Sequence, residues 1–121
     1  MITYDTVVDA GSQLTALADP TRRAVYELVR ARPSTVRELT DQLPVSQPAV
    51  SQHLRHLREA SLVQCEPRGA SNVYRTDPSG LAELRSWVES MWDDVLDAFV
   101  EAADEAADDV AATAEPHDPG E

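Results

Sequence analysis

Apolar residues return every three or four positions along most of this chain, and the breaks in that rhythm divide it into elements. Val7, Val8, Leu14 and Leu17 have loosely helical spacing and predict a first helix over residues 3–17. Asp19-Pro20 then supplies an N-cap and a first-turn proline, whose missing N–H costs nothing there. The helix behind it carries Ala24, Val25, Leu28 and Val29 on one face, with Arg22, Arg23 and Arg30 off that face, and stops at Pro33. Thr35 and Glu38 have the spacing of a capping box. Val36, Leu39 and Leu43 follow as a short third helix, closed by Pro44. Ser46 caps a fourth helix, which tolerates Pro48 in its first turn and has Val50, Leu54 and Leu57 as its inner stripe. Only residues 44–46 separate the third and fourth helices, which is the outline of a helix-turn-helix.

After Leu57 the pattern changes. Residues 62–66 and 73–76 are β-prone, and Pro67-Arg68-Gly69-Ala70-Ser71-Asn72 between them is rich in turn formers. This predicts a two-stranded hairpin, a wing. Asp77-Pro78 repeats the cap-plus-proline signal. Leu81, Leu84, Val88, Met91, Val95 and Phe99 then mark a long helix of about 20 residues, roughly 30 Å. Trp87, Trp92 and Leu96 widen its stripe. From Glu101 the chain turns to Ala, Asp and Glu. The alanines allow a frayed helical extension, but no apolar face remains to dock, so order is expected to end near residue 110. The fold class is mainly α with a small β-hairpin: a winged helix-turn-helix of about five helices plus a two-stranded wing. Residues 1–100 form the folded domain and residues 101–121 an acidic, disordered tail.

Charge changes this picture less than it first threatens to. The net charge of −12 is unusual for a protein that binds nucleic acid. Yet residues 1–85 hold ten arginines and ten acids, whereas residues 86–121 hold twelve acids and no base. Between Arg22 and Arg75 nine arginines face five acids, a local net of +4. The basic middle and the acidic end are separate stretches. With 121 residues the chain has room for one core. No apolar run approaches the roughly 18 residues of a membrane span, and the N-terminus lacks the basic-then-apolar order of a secretory signal. A cytoplasmic protein is expected. The single cysteine, Cys65, excludes an intrachain disulfide and a multi-thiolate metal site within one chain. No glycine-rich phosphate loop, defined carboxylate pair or nucleophile–base motif is present, so neither an enzyme nor a cofactor is expected.

The fourth helix concentrates the candidate chemistry. Gln47, Pro48, Ser51, Gln52 and Arg55 lie opposite its apolar stripe. Glutamine can pair with adenine through two hydrogen bonds, serine suits either kind of base edge, and arginine takes guanine or phosphate. The helix start can also receive a phosphate at its free N–H groups. Alone, such a face also fits an ordinary amphipathic helix with a solvated side. The preceding short helix, the tight turn and the following wing favour a duplex-reading element and double-stranded DNA as partner.

At this point three motifs in order become informative. The run SQPAVSQHLRHLREASLV (residues 46–63) resembles the signature of the ArsR/SmtB family of winged-helix regulators. LADPTRRAVYELV (17–29) resembles the family's second helix, and VYRTDPSGL (73–81) its wing exit. The resemblance covers roughly residues 14–100. It implies a homodimeric repressor that reads an imperfect inverted repeat in a promoter, with the first and last helices forming the dimer interface. Carried onto this chain, the implied DNA-facing residues are Ser46, Gln47, Pro48, Ser51, Gln52 and His53, beside Arg55 on the helix and Arg68 at the wing. The implied interface residues are Leu14, Leu84, Trp87, Val88, Met91 and Val95.

The chain departs from the family pattern at three places. Thr35 and Arg37 stand where many members carry paired metal-sensing cysteines, and neither is a soft ligand. Residues 78–100 contain no histidine for the other common metal site. Ser61 replaces the usual glycine after the recognition helix; if that position is left-handed, serine costs about 1 kcal/mol there. No metal is therefore assigned, and the resemblance leaves an unidentified small-molecule inducer or control by abundance alone as alternatives. Other readings stay open. His53 and His56 have metal-ligand spacing, which leaves a nickel- or zinc-responsive regulator with a non-standard site. Cys65 is a buried small residue or a redox switch. Trp87, Met91, Trp92 and Phe99 are interface core or line a ligand pocket. The tail is solvated or competes with DNA for the arginines. A winged helix that binds protein rather than DNA is the competing class.

Overall fold

The computed structural model describes residues 10–113 and resolves the hydrophobic rhythm into five helices and one hairpin. Helix α1 spans Ala10–Ala18, α2 Pro20–Ala31, α3 Val36–Thr40 and α4 Gln47–Glu59. Strands β1 (Val63–Arg68) and β2 (Ser71–Thr76) pair antiparallel, and α5 (Pro78–Thr113) follows. Val7, Val8 and His117 lie outside the described residues. The chain divides into two units between Trp87 and Val88.

Local chemistry sets the helix starts. Asp19 Oδ2 accepts from the Arg22 backbone N–H at 2.8 Å. That bond, more than the nearby charges of His53 and Arg22, holds the Asp19 carboxyl below its ordinary range. The capping box closes in both directions. Thr35 N–H donates to Glu38 Oε1 at 2.8 Å, and Glu38 N–H donates to Thr35 Oγ1 at 3.2 Å. The Thr35 N–H is also the main reason the Glu38 carboxyl is depressed. Ser46 Oγ accepts from Ala49 N–H at 3.3 Å and starts α4. Asp77 Oδ1 takes both the N–H and the hydroxyl of Ser79 at the start of α5.

The inner stripes of α2, α3 and α4 meet in one core. Val25, Leu39, Val50, Leu54, Leu57 and Leu62 are fully buried. Each such side chain contributes about 1.5–3 kcal/mol on leaving water. Tyr26, absent from the predicted stripe, is buried beside them; burial pushes its phenol pKa up, and its hydroxyl has no partner among the described residues. Gln13 is the buried polar anchor of α1. Its Nε2 donates to the Ala60 carbonyl at 2.8 Å, just past the end of α4.

Several boundaries differ from expectation. α3 ends at Thr40, so residues 41–46, not 44–46, form the turn. The Thr40 hydroxyl donates back to the Val36 carbonyl, and Leu43 N–H donates to the Thr40 carbonyl in a tightened turn. Leu43 and Val45 still pack on the core from that turn. The wing is longer and its turn shorter than predicted. Pairing runs from Val63–Thr76 to Arg68–Ser71, leaving Gly69-Ala70 as the turn, with Gly69 at φ +60. Pro67 is tolerated because β1 is an edge strand. On its other side β2 meets the α2–α3 connection. Ser34 N–H donates to the Tyr74 carbonyl at 3.0 Å, and Tyr74 N–H donates back at 2.8 Å.

The joint between the wing and its flanking helices is tight. Ser61 is left-handed at φ +57, the conformation in which serine is disfavoured. Its carbonyl accepts from Gly80 N–H at 3.0 Å, and a Cβ on Gly80 would collide with that carbonyl. The last helix is much longer than predicted, 36 residues rather than about 20. The Ala, Asp and Glu run has good helix formers and no stop signal before Thr113. In the unit from Val88 onward, Trp92, Val95, Phe99 and Val110 are more than half exposed.

Candidate nucleic-acid interface

The interface is built outward from the core. Burial of Val50, Leu54 and Leu57 fixes the roll of α4, and the opposite side must then face solvent. Ser46, Gln47, Pro48, Ser51, Gln52 and Arg55 are all exposed. Ser46 is engaged as the cap, so its hydroxyl is already partly satisfied. Gln47, Ser51, Gln52 and Arg55 have no side-chain partner among the described residues. They form a row of unsatisfied amide, hydroxyl and guanidinium groups on one helix.

His53 leaves this row. It is half-buried, its Nδ1 is enclosed without a partner, and its charge helps depress the Asp19 carboxyl. At 100° per residue it sits on the flank between the exposed Gln52 and the buried Leu54, with half-buried Ala49 and His56. The roll of the helix thus puts His53 beside the exposed row, not in it. Arg68 is exposed at the wing but leans toward Glu66 at 3.6 Å, while Arg75 holds the same carboxylate at 2.9 Å. Such exposed pairs are weak and leave Arg68 available.

A residue not anticipated for this surface also joins it. A groove of about 260 Å³ runs between the starts of α3 and α4 and the wing, lined by Arg37, Gln47, Ser71 and Asn72. Arg37 is exposed and forms no ion pair among the described residues, unlike Arg30 and Arg32, which pair with Glu27 and Glu38. In the sequence Arg37 stands at one of the two positions where many family members carry a thiolate. Cys65 is half-buried, rather than sealed, opposite Tyr74 in the wing. Burial raises the Tyr74 phenol pKa, reinforced by the Cys65 thiol beside it. Among the described residues no three His, Cys, Asp or Glu side chains gather as a metal site, and no helix is long and apolar enough to cross a membrane.

Comparison with known proteins bears directly on this surface. Residues 17–66 match a model described as a helix-turn-helix domain, spanning α2 through the start of the wing. The chain is 47% identical over 94 residues to the HTH-type transcriptional regulator Rv2034 of Mycobacterium tuberculosis, covering 78% of this chain and 88% of that protein. It is 39% identical over 97 residues to the HTH-type transcriptional repressor SmtB of M. tuberculosis, covering 80% of this chain and 64% of the repressor. A solved ArsR-like transcriptional regulator from Rhodococcus sp. RHA1 superposes with a TM-score of 0.64 at 27% identity, over 78% of this chain and 92% of the other.

Proposed function

The chain belongs to the ArsR/SmtB family of helix-turn-helix transcriptional regulators, and from that premise we propose that it is a homodimeric repressor reading an imperfect inverted repeat in promoter DNA. The observation that carries the reading is the row of unpartnered groups on the exposed side of α4. In this proposal Gln47, Ser51 and Gln52 meet base edges, and Arg55 meets guanine or phosphate. Ser46 and Pro48 bring the helix start to the backbone, and Arg68 approaches from the wing. His53 has a lesser part at the edge of the contact. Arg37 and Asn72 flank the passing phosphates in the groove between α3, α4 and the wing.

Dimerisation is proposed through α1 and α5. Leu14, Trp87, Met91 and Val95 are at least two-fifths exposed, and Leu84 and Val88 are half-buried. A stripe of this size on a single chain is the signature of a surface that another chain covers. Two copies would then present their α4 helices to successive major grooves, about one helical turn apart. Residues 1–100 carry both activities in this proposal, and residues 101–121 add an acidic extension. Thr35 is engaged as a helix cap and Arg37 is a cation, which supports a regulator without the usual thiolate metal switch. Release would then come from a small molecule that changes the spacing of the two α4 helices.

The test is selection of bound sequences from random duplex DNA, followed by the Gln52→Ala variant on the selected operator. Specific binding should weaken by about 1–3 kcal/mol at fixed salt. Wild-type affinity should fall steeply with added salt. An unchanged affinity for Gln52→Ala sinks this register, and salt-independent binding would favour a protein-interaction module instead.

A further inference from the structure

The exposed side of α4 does not end at Arg55. At 100° per residue Gln47, Ser51, Arg55 and Arg58 fall within an arc of about 80° along the helix. Arg58 is exposed, as the other three are. It shares the face of the groups proposed to read bases, nearly one turn closer to the helix end than Arg55.

Arg55 and Arg58 stand three residues apart, the spacing of side-chain neighbours on a helix surface. Together they line a hollow of about 230 Å³. The third lining residue, Glu59, is its one acid. Among the described residues no ion pair joins Glu59 to either guanidinium, whereas Arg30, Arg32, Arg68 and Arg75 all have carboxylate partners. Two cations against one carboxylate leave the hollow net positive. Arg58 is also steadied from the wing. Burial raises the Tyr74 phenol pKa, and the Arg58 guanidinium beside that hydroxyl opposes the rise by charge and hydrogen bonding. A guanidinium held in this way gives up less side-chain freedom on meeting an anion.

Position along the helix decides which anion. Recognition helices put their N-terminal residues on base edges. Arg55 and Arg58 lie roughly 12 and 16 Å further along α4 than Gln47. The major groove is about 12 Å wide, so both arginines have reached its phosphate wall.

We infer that Arg55 and Arg58 form a clamp for a single backbone phosphate of duplex DNA. The clamp rests on the proposed reading of DNA by α4 and places Arg55 on phosphate rather than guanine.

The test measures the affinity of the full chain for its selected operator and for an unrelated duplex across a salt series. Both arginines are exposed, so Arg55→Gln, Arg58→Gln and the double variant should keep the wild-type helical circular dichroism. Arg58→Gln should weaken both duplexes by the same factor, because a phosphate carries no sequence. The double variant should lower the slope of log affinity against log salt by about 0.9 for each protomer bound, the share of one phosphate. Gln52→Ala should leave that slope unchanged. A loss confined to the operator would make Arg58 a base reader and overturn the clamp. A fall of about twice the expected size would overturn it too, since it means two separate phosphates. Wild-type binding without salt dependence would remove the DNA reading itself. A steep wild type with an equally steep double variant removes the clamp alone.

Discussion

Helices α4 and α5 share one apolar periodicity and use it in opposite ways. In α4 the stripe residues Val50, Leu54 and Leu57 are completely buried. In α5 the equivalent residues Met91, Val95 and Phe99 are 43%, 55% and 73% exposed. An apolar stripe therefore announces that a helix needs a partner surface, not that the same chain supplies it. The α4 stripe is satisfied by α2 and α3, so its polar side is free for recognition. Among the described residues the α5 stripe stays exposed, which is what supports its proposed role between copies.

The largest expected effect tests the first half of that contrast. Leu54→Ala should lower unfolding stability by about 2–5 kcal/mol, a large part of the margin of a small domain, measured by urea denaturation. A loss below 1 kcal/mol would mean that α4 is not the keystone of the core. Val95→Asp tests the second half. It should leave the helical circular dichroism in place while shifting sedimentation from dimer to monomer and abolishing operator binding. A variant that still sediments as a dimer removes α5 from the proposed interface. A subtler change addresses the joint between the two helices. Ser61→Gly should stabilise by about 1 kcal/mol, because glycine accepts φ +57 without the strain of a side chain.

The smallest effect is on the caps that start α2 and α3. Asp19 and Glu38 have depressed carboxyl pKa values in the fold, chiefly from backbone N–H bonds. Depressed carboxyls stabilise above their unfolded pKa and lose that contribution as pH falls through the folded value. Stability should therefore decline below about pH 4.5. Asp19→Asn and Glu38→Gln together should flatten part of that decline in thermal melts taken across the acid range. An unaltered acid profile would assign the decline to other carboxylates.

What was legible in the sequence was what neighbours along the chain decide. Asp19-Pro20, the Thr35–Glu38 pair and Ser46 announce caps because their partners are three residues away. The stripe of α4 was legible from its spacing alone, whereas a left-handed Ser61 was only a conditional expectation drawn from the family's usual glycine there. Contacts between distant residues were not. Nothing near Gln13 signals Ala60, and nothing near Ser34 signals Tyr74. The half-buried setting of His53 was not legible because one residue of helical rotation separates an exposed side chain from a buried one. In sequence Arg37 shows only that a thiolate is missing, and only the approach of the wing gives it a groove to line. The length of α5 escaped because a run of Ala, Asp and Glu reads equally as helix or coil until something terminates it.

The reciprocal bonds between Ser34 and Tyr74 bear on how the molecule opens. They join segments forty positions apart and make β2 the middle of a three-segment ladder, so the wing is not a free arm. Opening the hairpin alone would strip both Ser34 groups of their partners in a buried place. The wing, the α2–α3 connection and the core beneath them should exchange their amide hydrogens as one cooperative block, with the Ser34 and Tyr74 amides among the slow ones. In the proposed complex, a hairpin held in such a block would bring its contacts on a pre-set frame, with little ordering left to do at the moment of binding.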